Sequence, residues 1–268
     1  MNGRMRPSFK ALLEFAHELA DLSGDVIRPY FRKPLAVTNK AAKGAFDPVT
    51  AADRAAERVI TRAIAKRWPD HGLLGEEYGS ARDGARLCWV VDPIDGTRAF
   101  IMGSPLWGTL IGLRDGQTPL LGVMDQPFTG ERFWSAEKAS FLRSGDGKAR
   151  RLKTRACPRL ADAILTTTHP DLFEPGFETQ AFARLKAKAR MSRYGGDCYG
   201  YCLLAAGFVD MVVESGLKPY DVVALIPIIE RAGGRVTTWN GEPATAGGRI
   251  LATGDERLHD EALALLAR

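Results

Sequence analysis

The sequence contains few residues that could bind soft metals or perform thiol chemistry. Its 268 residues include four cysteines and four histidines, and no two cysteines form a CxxC pair. Zinc sites and disulfides are therefore not expected, and the cysteines are predicted to be buried free thiols. The histidines are scattered, and no serine has a histidine motif beside it, which disfavours a Ser-His mechanism.

The sequence also lacks a long apolar run. No stretch approaches the roughly 18 residues of a membrane span. Acidic Glu14, Glu18 and Asp21 lie where a signal peptide would need its apolar core. We therefore expect a cytoplasmic protein with no membrane partner.

Acidic residues are outnumbered by basic ones, 32 against 37, which gives a formal net charge of +5. Excess Lys and Arg is typical of nucleic-acid binding, and basic residues cluster at Arg143–Arg159 and Lys186–Arg193. No zinc-finger spacing, RNP motif or helix-turn-helix pattern accompanies them. We therefore expect no nucleic-acid partner and favour a mild attraction for small anionic substrates.

The N-terminal half is predicted to combine helices with an antiparallel sheet. Apolar residues at helical spacing after Ser8 predict a helix that ends near Pro29. Thr50 followed by Asp53 resembles a capping box and predicts a second helix that ends near Trp68. From Leu87 onward, apolar runs separated by turn signals predict an antiparallel meander, with strands at Leu106–Leu113, Leu120–Gln126 and Glu131–Ser135.

The C-terminal half alternates predicted strands and helices. The strands are Ala163–Thr168, Val209–Glu214, Arg235–Trp239 and Arg249–Thr253; the helices are Glu178–Ala189, Cys198–Ala206, Asp221 to Gly233–Gly234, and one from Glu256. These patterns indicate an α/β (α+β layered) protein of two units, residues 1–155 and 156–268.

The segment WVVDPIDGTRAF, Trp89 to Phe100, places two carboxylates at the end of an apolar strand. Burial of both Asp92 and Asp95 is costly unless a positive charge lies between them. Gly96 and Thr97 follow directly, and a strand-to-helix turn at a glycine can direct free N–H groups toward an oxyanion. The segment therefore predicts a cation site with a phosphate site beside it.

Five more acids lie at the ends of predicted elements, where side chains from separate segments can converge: Asp47, Asp53, Glu76, Glu77 and Asp221. Taken alone, the Glu pair is typical of a solvated loop, Asp53 of a capping box and Asp221 of a helix N-cap. Taken together, carboxylates without soft ligands favour Mg²⁺.

Four dispersed motifs resemble the ordered signature of the inositol monophosphatase superfamily: DPVTAAD, GEE, DPIDGTRAF and YDVVALIPIIERAGG. Two positions depart from the usual form, since Tyr220 replaces a common Trp and Val223-Ala224 replaces Ala-Ala. The segments WGTLIGL, MDQPFTGERF and RYGGDCYGYCLLAAGFVDMVVESGLKPYD resemble the histidinol-phosphate phosphatase branch. This resemblance implies an α-β-α-β-α five-layer sandwich, a homodimer, and lithium-sensitive, Mg²⁺-dependent hydrolysis of phosphomonoesters with two or three ions per subunit, Mn²⁺ being an alternative.

The resemblance also implies roles for particular residues. Glu76, Asp92 and the carbonyl of Ile94 would hold a first metal; Asp92, Asp95 and Asp221 would hold a second. Glu76 and Thr97 would orient the attacking water, Asp53 would support Thr97, and the amides of Gly96 and Thr97 would bind phosphate. A lysine, Lys40 or Lys43, would line the metal rim, and the role of Asp47 is left open.

Substrate choice is expected to depend on Asp197 and Glu214, which align with substrate-contacting positions of the family. An ammonium group needs a charged acceptor once it leaves water, so these acids favour histidinol phosphate as the substrate. The alternatives are a helix N-cap for Asp197 and a solvent-facing strand end for Glu214. At the level of function, the alternatives are a phosphatase of inositol, sugar or nucleotide phosphates, and a non-catalytic protein that binds anions or nucleic acid.

Overall fold

The N-terminal helices form as their capping signals predict. The structure, a computed structural model, describes residues 7–34, 36–40, 48–82, 84–145 and 147–267. Helix α1 (Phe9–Ile27) is capped by Ser8, whose hydroxyl accepts a hydrogen bond from the Ala11 amide. Helix α2 (Ala51–Arg67) begins with the predicted capping box. The Thr50 hydroxyl accepts a hydrogen bond from the Ala52 amide, and the Asp53 carboxylate accepts one from the Thr50 amide.

The predicted meander lies within an eight-stranded sheet. Its strands, besides a separate β1–β2 pair (Val37–Asn39 and Pro48–Thr50), are β3 (Gly72–Gly75), β4 (Gly79–Ala81), β5 (Leu87–Asp95), β6 (Gly108–Asp115), β7 (Thr118–Gln126), β8 (Glu131–Ser135), β9 (Ser140–Arg143) and β10 (Ala149–Arg151). The order is β10-β9-β8-β7-β6-β5-β3-β4. Strands β5 to β8 pair antiparallel, which confirms the meander, whereas β3 runs parallel to β5.

A second, five-stranded sheet carries the C-terminal elements. Its strands are β11 (Ile164–Thr167), β12 (Met191–Tyr194), β13 (Met211–Leu217), β14 (Arg235–Thr238) and β15 (Gly248–Thr253), in the order β12-β11-β13-β15-β14. The helices are α3 (Thr97–Ile101), α4 (Phe177–Lys188), α5 (Asp197–Ala205), α6 (Pro219–Val222), α7 (Leu225–Glu230) and α8 (Glu256–Leu266). Strand β11 pairs parallel with β12 and β13, whereas β15 pairs antiparallel with β13 and β14.

The helices and sheets alternate in five layers. Helices α1 and α2 cover one face of the large sheet, and α5, α6 and α7 lie between the two sheets. Helices α4 and α8 cover the outer face of the small sheet. The α-β-α-β-α arrangement is therefore confirmed; the division into units 1–155 and 156–268 stays a prediction.

The helix predicted from Asp221 to Gly233–Gly234 is interrupted, and this prediction was wrong. Two short helices, α6 and α7, replace it. Pro227 has no N–H to donate to the carbonyl four residues earlier. The backbone of Ala224 also packs so closely on the large sheet that a Cβ on Gly122 would lie 1.8 Å from the Ala224 carbonyl oxygen.

The remaining sequence expectations concern thiols and membranes. All four cysteines are buried and free, as predicted. Within the described residues, no helix combines the length and apolarity that a membrane crossing requires.

Candidate active site

Strand β5 ends in the two carboxylates that the sequence singled out. Asp92 is 2% exposed, and its Oδ1 accepts a hydrogen bond from the Ile94 amide at 3.0 Å. The pairing of β5 with β6 shifts register between Asp92 and Asp95, at the point where Pro93 offers no N–H to the ladder. Both acids therefore lie at an irregular strand end, not within a continuous ladder.

Helix α6 brings a third acid to this strand end. Carboxylate oxygens of Asp92, Asp95 and Asp221 all lie within 4.8 Å of one another. The Asp221 Oδ2 accepts a hydrogen bond from the Lys218 amide at 2.7 Å, which fixes its side chain. The structure thus unites two of the sequence motifs that are more than a hundred residues apart.

The electrostatics of this cluster call for a cation. Burial, followed by the charges of Glu76 and the neighbouring aspartates, raises the pKa of Asp92 well above its usual range. Burial likewise raises the pKa of Asp95 well above the usual value, and that of Asp221 to about 7. Among the described residues none of the three forms an ion pair. An all-oxygen, acidic donor set of this kind fits a hard divalent ion.

The Glu pair lies beside the cluster and contacts a lysine. Lys40 Nζ lies 2.8 Å from Glu76 Oε1 and 2.9 Å from Glu77 Oε1. Although burial lowers the pKa of Lys40, these two partners raise it overall, so Lys40 is a cation at this rim. Glu76 is outside the group of three mutually close acids, but its charge reaches Asp92. Lys43 and Asp47 lie outside the described residues.

Asp53, in the first turn of helix α2, is an acid whose pKa is raised by burial, and it lies close enough to Glu76 for that charge to raise the pKa further. Asp53 Oδ2 accepts hydrogen bonds from the amide and the hydroxyl of Thr50 at 2.8 and 2.5 Å. Its Oδ1 is buried and has no hydrogen-bond partner among the described residues. The Thr97 hydroxyl donates to the Ile94 carbonyl at 3.1 Å. Support of Thr97 by Asp53 stays a prediction.

Gly96 forms the turn between β5 and α3. Its φ of +84° lies in the left-handed region, and an added Cβ would lie 3.1 Å from the Leu106 carbonyl oxygen and 3.2 Å from Asp197 Cγ. Glycine is therefore required here both by conformation and by space. The same turn places Thr97 at the start of α3.

A cavity of about 350 Å³ opens beside these residues. It is lined by side chains from both halves of the chain: Asp95, Gly96, Thr97, Arg98, Thr168, Leu172, Asp197, Cys198, Tyr201, Glu214, Leu217 and Asp221. Its floor joins the acidic cluster, and its opposite wall comes from the small sheet and α5. Asp197 and Glu214 thus lie in one cavity with the Gly96–Thr97 turn.

Asp197 does not cap a helix with its side chain. Helix α5 begins at Asp197, with Gly196 in the N-cap position and no side-chain cap. Asp197 has a φ of +42°, and the following amide, of Cys198, donates to Asp95 Oδ2 at 2.7 Å. Burial, then the charge of Glu214, raises the pKa of Asp197 to about 7.

Glu214 is buried, so the alternative of a solvent-facing strand end is wrong. Glu214 is only 3% exposed. Oε1 accepts hydrogen bonds from the Thr168 amide at 2.8 Å and hydroxyl at 2.6 Å, and Oε2 accepts one from the Tyr201 hydroxyl at 3.2 Å. Burial raises its pKa, against the effect of these donors.

Sequence reasoning missed several residues of this site. Thr168, Tyr201 and Arg98 line the cavity. Arg98 and Tyr201 stand within quoted motifs but were given no role, and Thr168 stands outside them. Glu57, a buried acid that accepts the amides of Glu77 and Tyr78, is four residues after Asp53 and therefore on the same face of α2. That spacing was the signal that could have identified it.

The cluster predicts an unusual pH dependence of stability without metal. Between about pH 4 and 7 the folded protein binds more protons than the unfolded chain, because folding raises the pKa of Asp92, Asp95 and Asp221. The stability contributed by protonated acids is therefore present at low pH and lost as pH rises through 7. In EDTA, we expect Tm to fall between pH 5 and pH 8 by at least about 5 °C.

Mg²⁺ at saturating concentration should remove most of that fall, since it replaces the protons. Carboxyls with a lowered pKa, such as Asp255 beside Arg257, lose their contribution only at pH values below this window. Differential scanning calorimetry at four pH values, with EDTA or Mg²⁺, makes the measurement. A Tm in EDTA that rises from pH 5 to 8 would contradict the expected burial of like charges.

The fold and the acidic cluster agree with comparisons to known proteins. The inositol monophosphatase family matches residues 9–268, and the chain belongs to this family. Enzymes of this family are metal-dependent phosphatases, and the chain is a phosphatase of this kind.

Similar proteins carry more than one substrate name. The chain is 43% identical to the bifunctional phosphatase IMPL2, chloroplastic, of Arabidopsis thaliana, over 91% of this chain and 72% of that protein. It is 34% identical to a histidinol-phosphatase of Chlorobaculum parvum, over 92% and 93%. A solved inositol monophosphatase from Zymomonas mobilis superposes with a TM-score of 0.86 at 41% identity, over 98% of this chain and all of that one.

Proposed function

We propose that the protein is a Mg²⁺-dependent phosphatase that hydrolyses L-histidinol phosphate to L-histidinol and phosphate. The observation that carries this proposal is a second pair of acids, Asp197 and Glu214, in the cavity that also contains Asp95 and Asp221. Asp95 and Asp221 would bind a cation, and that cation would bind the phosphate end of the substrate. The second pair is left for a cationic part of the substrate.

Metal binding is assigned to the residues at the end of β5 and at α6. Asp92, Asp95 and Asp221 would hold one ion, and Glu76, Asp92 and the Ile94 carbonyl another. When bound, the ions supply a nucleophilic water at neutral pH and neutralise charge on the phosphoryl group. Lys40 balances part of the charge of Glu76 and keeps its carboxylate at the rim.

The phosphate is assigned to the turn that follows the ligands. Gly96 allows close approach of the backbone, and the amides of Gly96 and Thr97 are the proposed donors to phosphate oxygens. Glu76 and Thr97 are assigned to orient the attacking water. Asp53, whose Oδ1 has no partner among the described residues, is assigned to support Thr97.

Substrate discrimination is assigned to the acidic wall. An ammonium or imidazolium group that leaves water needs a charged acceptor. Asp197 is a carboxylate in the cavity that does not cap its own helix; the Thr168 side chain hydrogen-bonds to it, and the charge of Arg98 lowers its pKa against the larger effect of burial. Glu214 is already bonded by Thr168 and Tyr201, which holds it rigidly. We therefore assign the direct contact to Asp197 and a mainly electrostatic contribution to Glu214.

We predict that Asp197→Asn lowers kcat/KM for histidinol phosphate by at least about tenfold, equivalent to about 1.4 kcal/mol of transition-state binding. Glu214→Gln should act in the same direction. Asparagine tolerates the positive φ of position 197, so the fold should persist. Steady-state phosphate release tests this, measured on histidinol phosphate and on a phosphomonoester whose alcohol part carries no cationic group.

Both variants should hydrolyse the substrate without a cationic group at a nearly unchanged rate. Asp260→Asn, which alters an exposed acid on α8, is the matched control and should change neither rate. Equal losses on both substrates would assign Asp197 to metal or phosphate handling and remove the argument for a cationic substrate.

The alternative function is hydrolysis of inositol monophosphate, favoured by the similarity to the Zymomonas mobilis structure. Buried carboxylates such as Glu214 also accept hydrogen bonds from hydroxyl groups. A direct comparison of kcat/KM on histidinol phosphate and inositol 1-phosphate decides between the two. A higher value for inositol 1-phosphate would overturn the proposed substrate and leave the phosphatase assignment intact.

A further inference from the structure

Glu57 is a buried acid whose partners are backbone amides. It lies on α2, one turn after Asp53, and is 0% exposed. Its Oε2 accepts a hydrogen bond from the Glu77 amide at 2.8 Å, and its Oε1 accepts one from the Tyr78 amide at 3.0 Å. Within the described part of the chain it has no ion-pair partner. Burial of a carboxylate is costly unless the group is paired or hydrogen-bonded. The two amides of the loop supply the hydrogen bonds of Glu57.

The loop that receives these hydrogen bonds is shaped around the carboxylate. A Cβ added to Gly75 would lie 2.0 Å from Glu57 Oε1 and 2.5 Å from its Cδ. Only a glycine can occupy position 75 while Glu57 holds its place. Glu76 lies between this contact and the two bonded amides, so Glu57 restrains the backbone on both sides of it.

The side chain of Glu76 is held from the opposite direction by Lys40, at 2.8 Å. Glu57 accepts hydrogen bonds from the backbone just after Glu76, and Lys40 donates one to the Glu76 carboxylate. Both the backbone and the side chain of Glu76 are therefore restrained. A ligand that is ordered before the metal arrives loses less conformational entropy on binding.

We propose that Glu57 is a positioning residue that fixes Glu76 for metal binding by accepting the amides of Glu77 and Tyr78. This inference rests on the proposed function, because it takes Glu76 as a ligand. It assigns no contact between Glu57 and the metal or the substrate.

Two variants separate positioning from charge. Glu57→Gln removes a negative charge and puts an NH₂ group against one of the two amides. Glu57→Asp keeps the charge but withdraws the carboxylate by one methylene, out of reach of both amides. Asp255→Asn is the matched control, because Asp255 is another buried acid that accepts two backbone amides, those of Cys157 and Arg257, far from the site.

The measurement is Mn²⁺ binding to the unliganded protein, followed by the electron paramagnetic resonance of free ion, together with Tm in EDTA. We expect both Glu57 variants to raise the half-saturating Mn²⁺ concentration at least about tenfold. Asp255→Asn should lower Tm and leave Mn²⁺ binding unchanged. If Glu57→Gln does not fold, Glu57→Asp alone carries the test.

Three results would overturn the inference. Unchanged Mn²⁺ binding in Glu57→Asp beside a loss in Glu57→Gln would mean that Glu57 acts by charge alone. Unchanged binding in both, with a lower Tm, would mean that its role is only structural. Absence of saturable Mn²⁺ binding by the unmodified protein would overturn the proposed metal site as well, and so is distinguishable from the other two.

Discussion

Asp95→Asn is expected to lower kcat for phosphate release by at least about a hundredfold, a loss of roughly 2.7 kcal/mol or more of transition-state stabilisation. The proposed site needs the charge of this carboxylate, which lies among Asp92 and Asp221 with oxygens within 4.8 Å. An asparagine keeps the shape and can still accept the 2.7 Å hydrogen bond from the Cys198 amide. What it removes is a negative charge.

The stability of this variant separates lost chemistry from lost folding. Burial and the charges of Asp197 and Asp221 raise the pKa of Asp95 well above normal, so a neutral side chain should leave Tm in EDTA unchanged or higher. Asp115→Asn is the control, since Asp115 lies opposite Leu87, at the other end of the β5–β6 pair, and should retain full activity. A kcat for Asp95→Asn within about threefold of the unmodified protein would exclude Asp95 as a ligand.

Removal of divalent ions is expected to abolish phosphate release, by at least about a hundredfold, and added Mg²⁺ to restore it. The acidic cluster offers only oxygens, and among the described residues Asp92, Asp95 and Asp221 form no ion pair with a protein cation, so their charges are left for a bound metal ion. Hard ions should therefore reactivate the enzyme best, with Mg²⁺ and Mn²⁺ ahead of Zn²⁺.

The experiment is a phosphate-release assay on protein dialysed against EDTA and then titrated with each ion. Tm measured in the same samples shows that the metal-free protein is folded. Millimolar-range Li⁺ should suppress the restored activity, as the family resemblance implies. A rate that persists unchanged in EDTA would remove the entire metal-assisted account.

Local signals in the sequence were sufficient where the interacting groups lie within a few residues. The capping box of Thr50 and Asp53 spans three residues, and helix α2 starts as predicted. Strand β8 has the predicted bounds Glu131–Ser135, because alternation and turn residues act over the same short range. The motif around Asp92 and Asp95 could likewise be interpreted locally, since two ionised acids at the end of a buried strand are costly without a cation.

Prediction failed where distant parts of the chain decide local structure. The helix after Asp221 is broken near Ala224, which packs against Gly122 of the large sheet, a contact that no pattern within the helix can reveal. Glu214 was open to a solvent-facing interpretation, because its partner Thr168 is 46 residues away. Lys40 contacts Glu76, 36 residues further along the chain, a contact that no local pattern reveals.

The sequence by itself determined the first two helices, the antiparallel meander, the acidic motifs and the expectation of a hard cation beside a phosphate. Only the tertiary structure decided which acids meet, that Asp197 and Glu214 line the cavity beside the Gly96–Thr97 turn, and that Glu57 accepts hydrogen bonds from the loop after Glu76. The reason is physical. Capping and periodicity act over three or four residues, whereas burial and charge depend on neighbours such as Cys198 and Asp95, which are 103 residues apart in the chain and 2.7 Å apart in space.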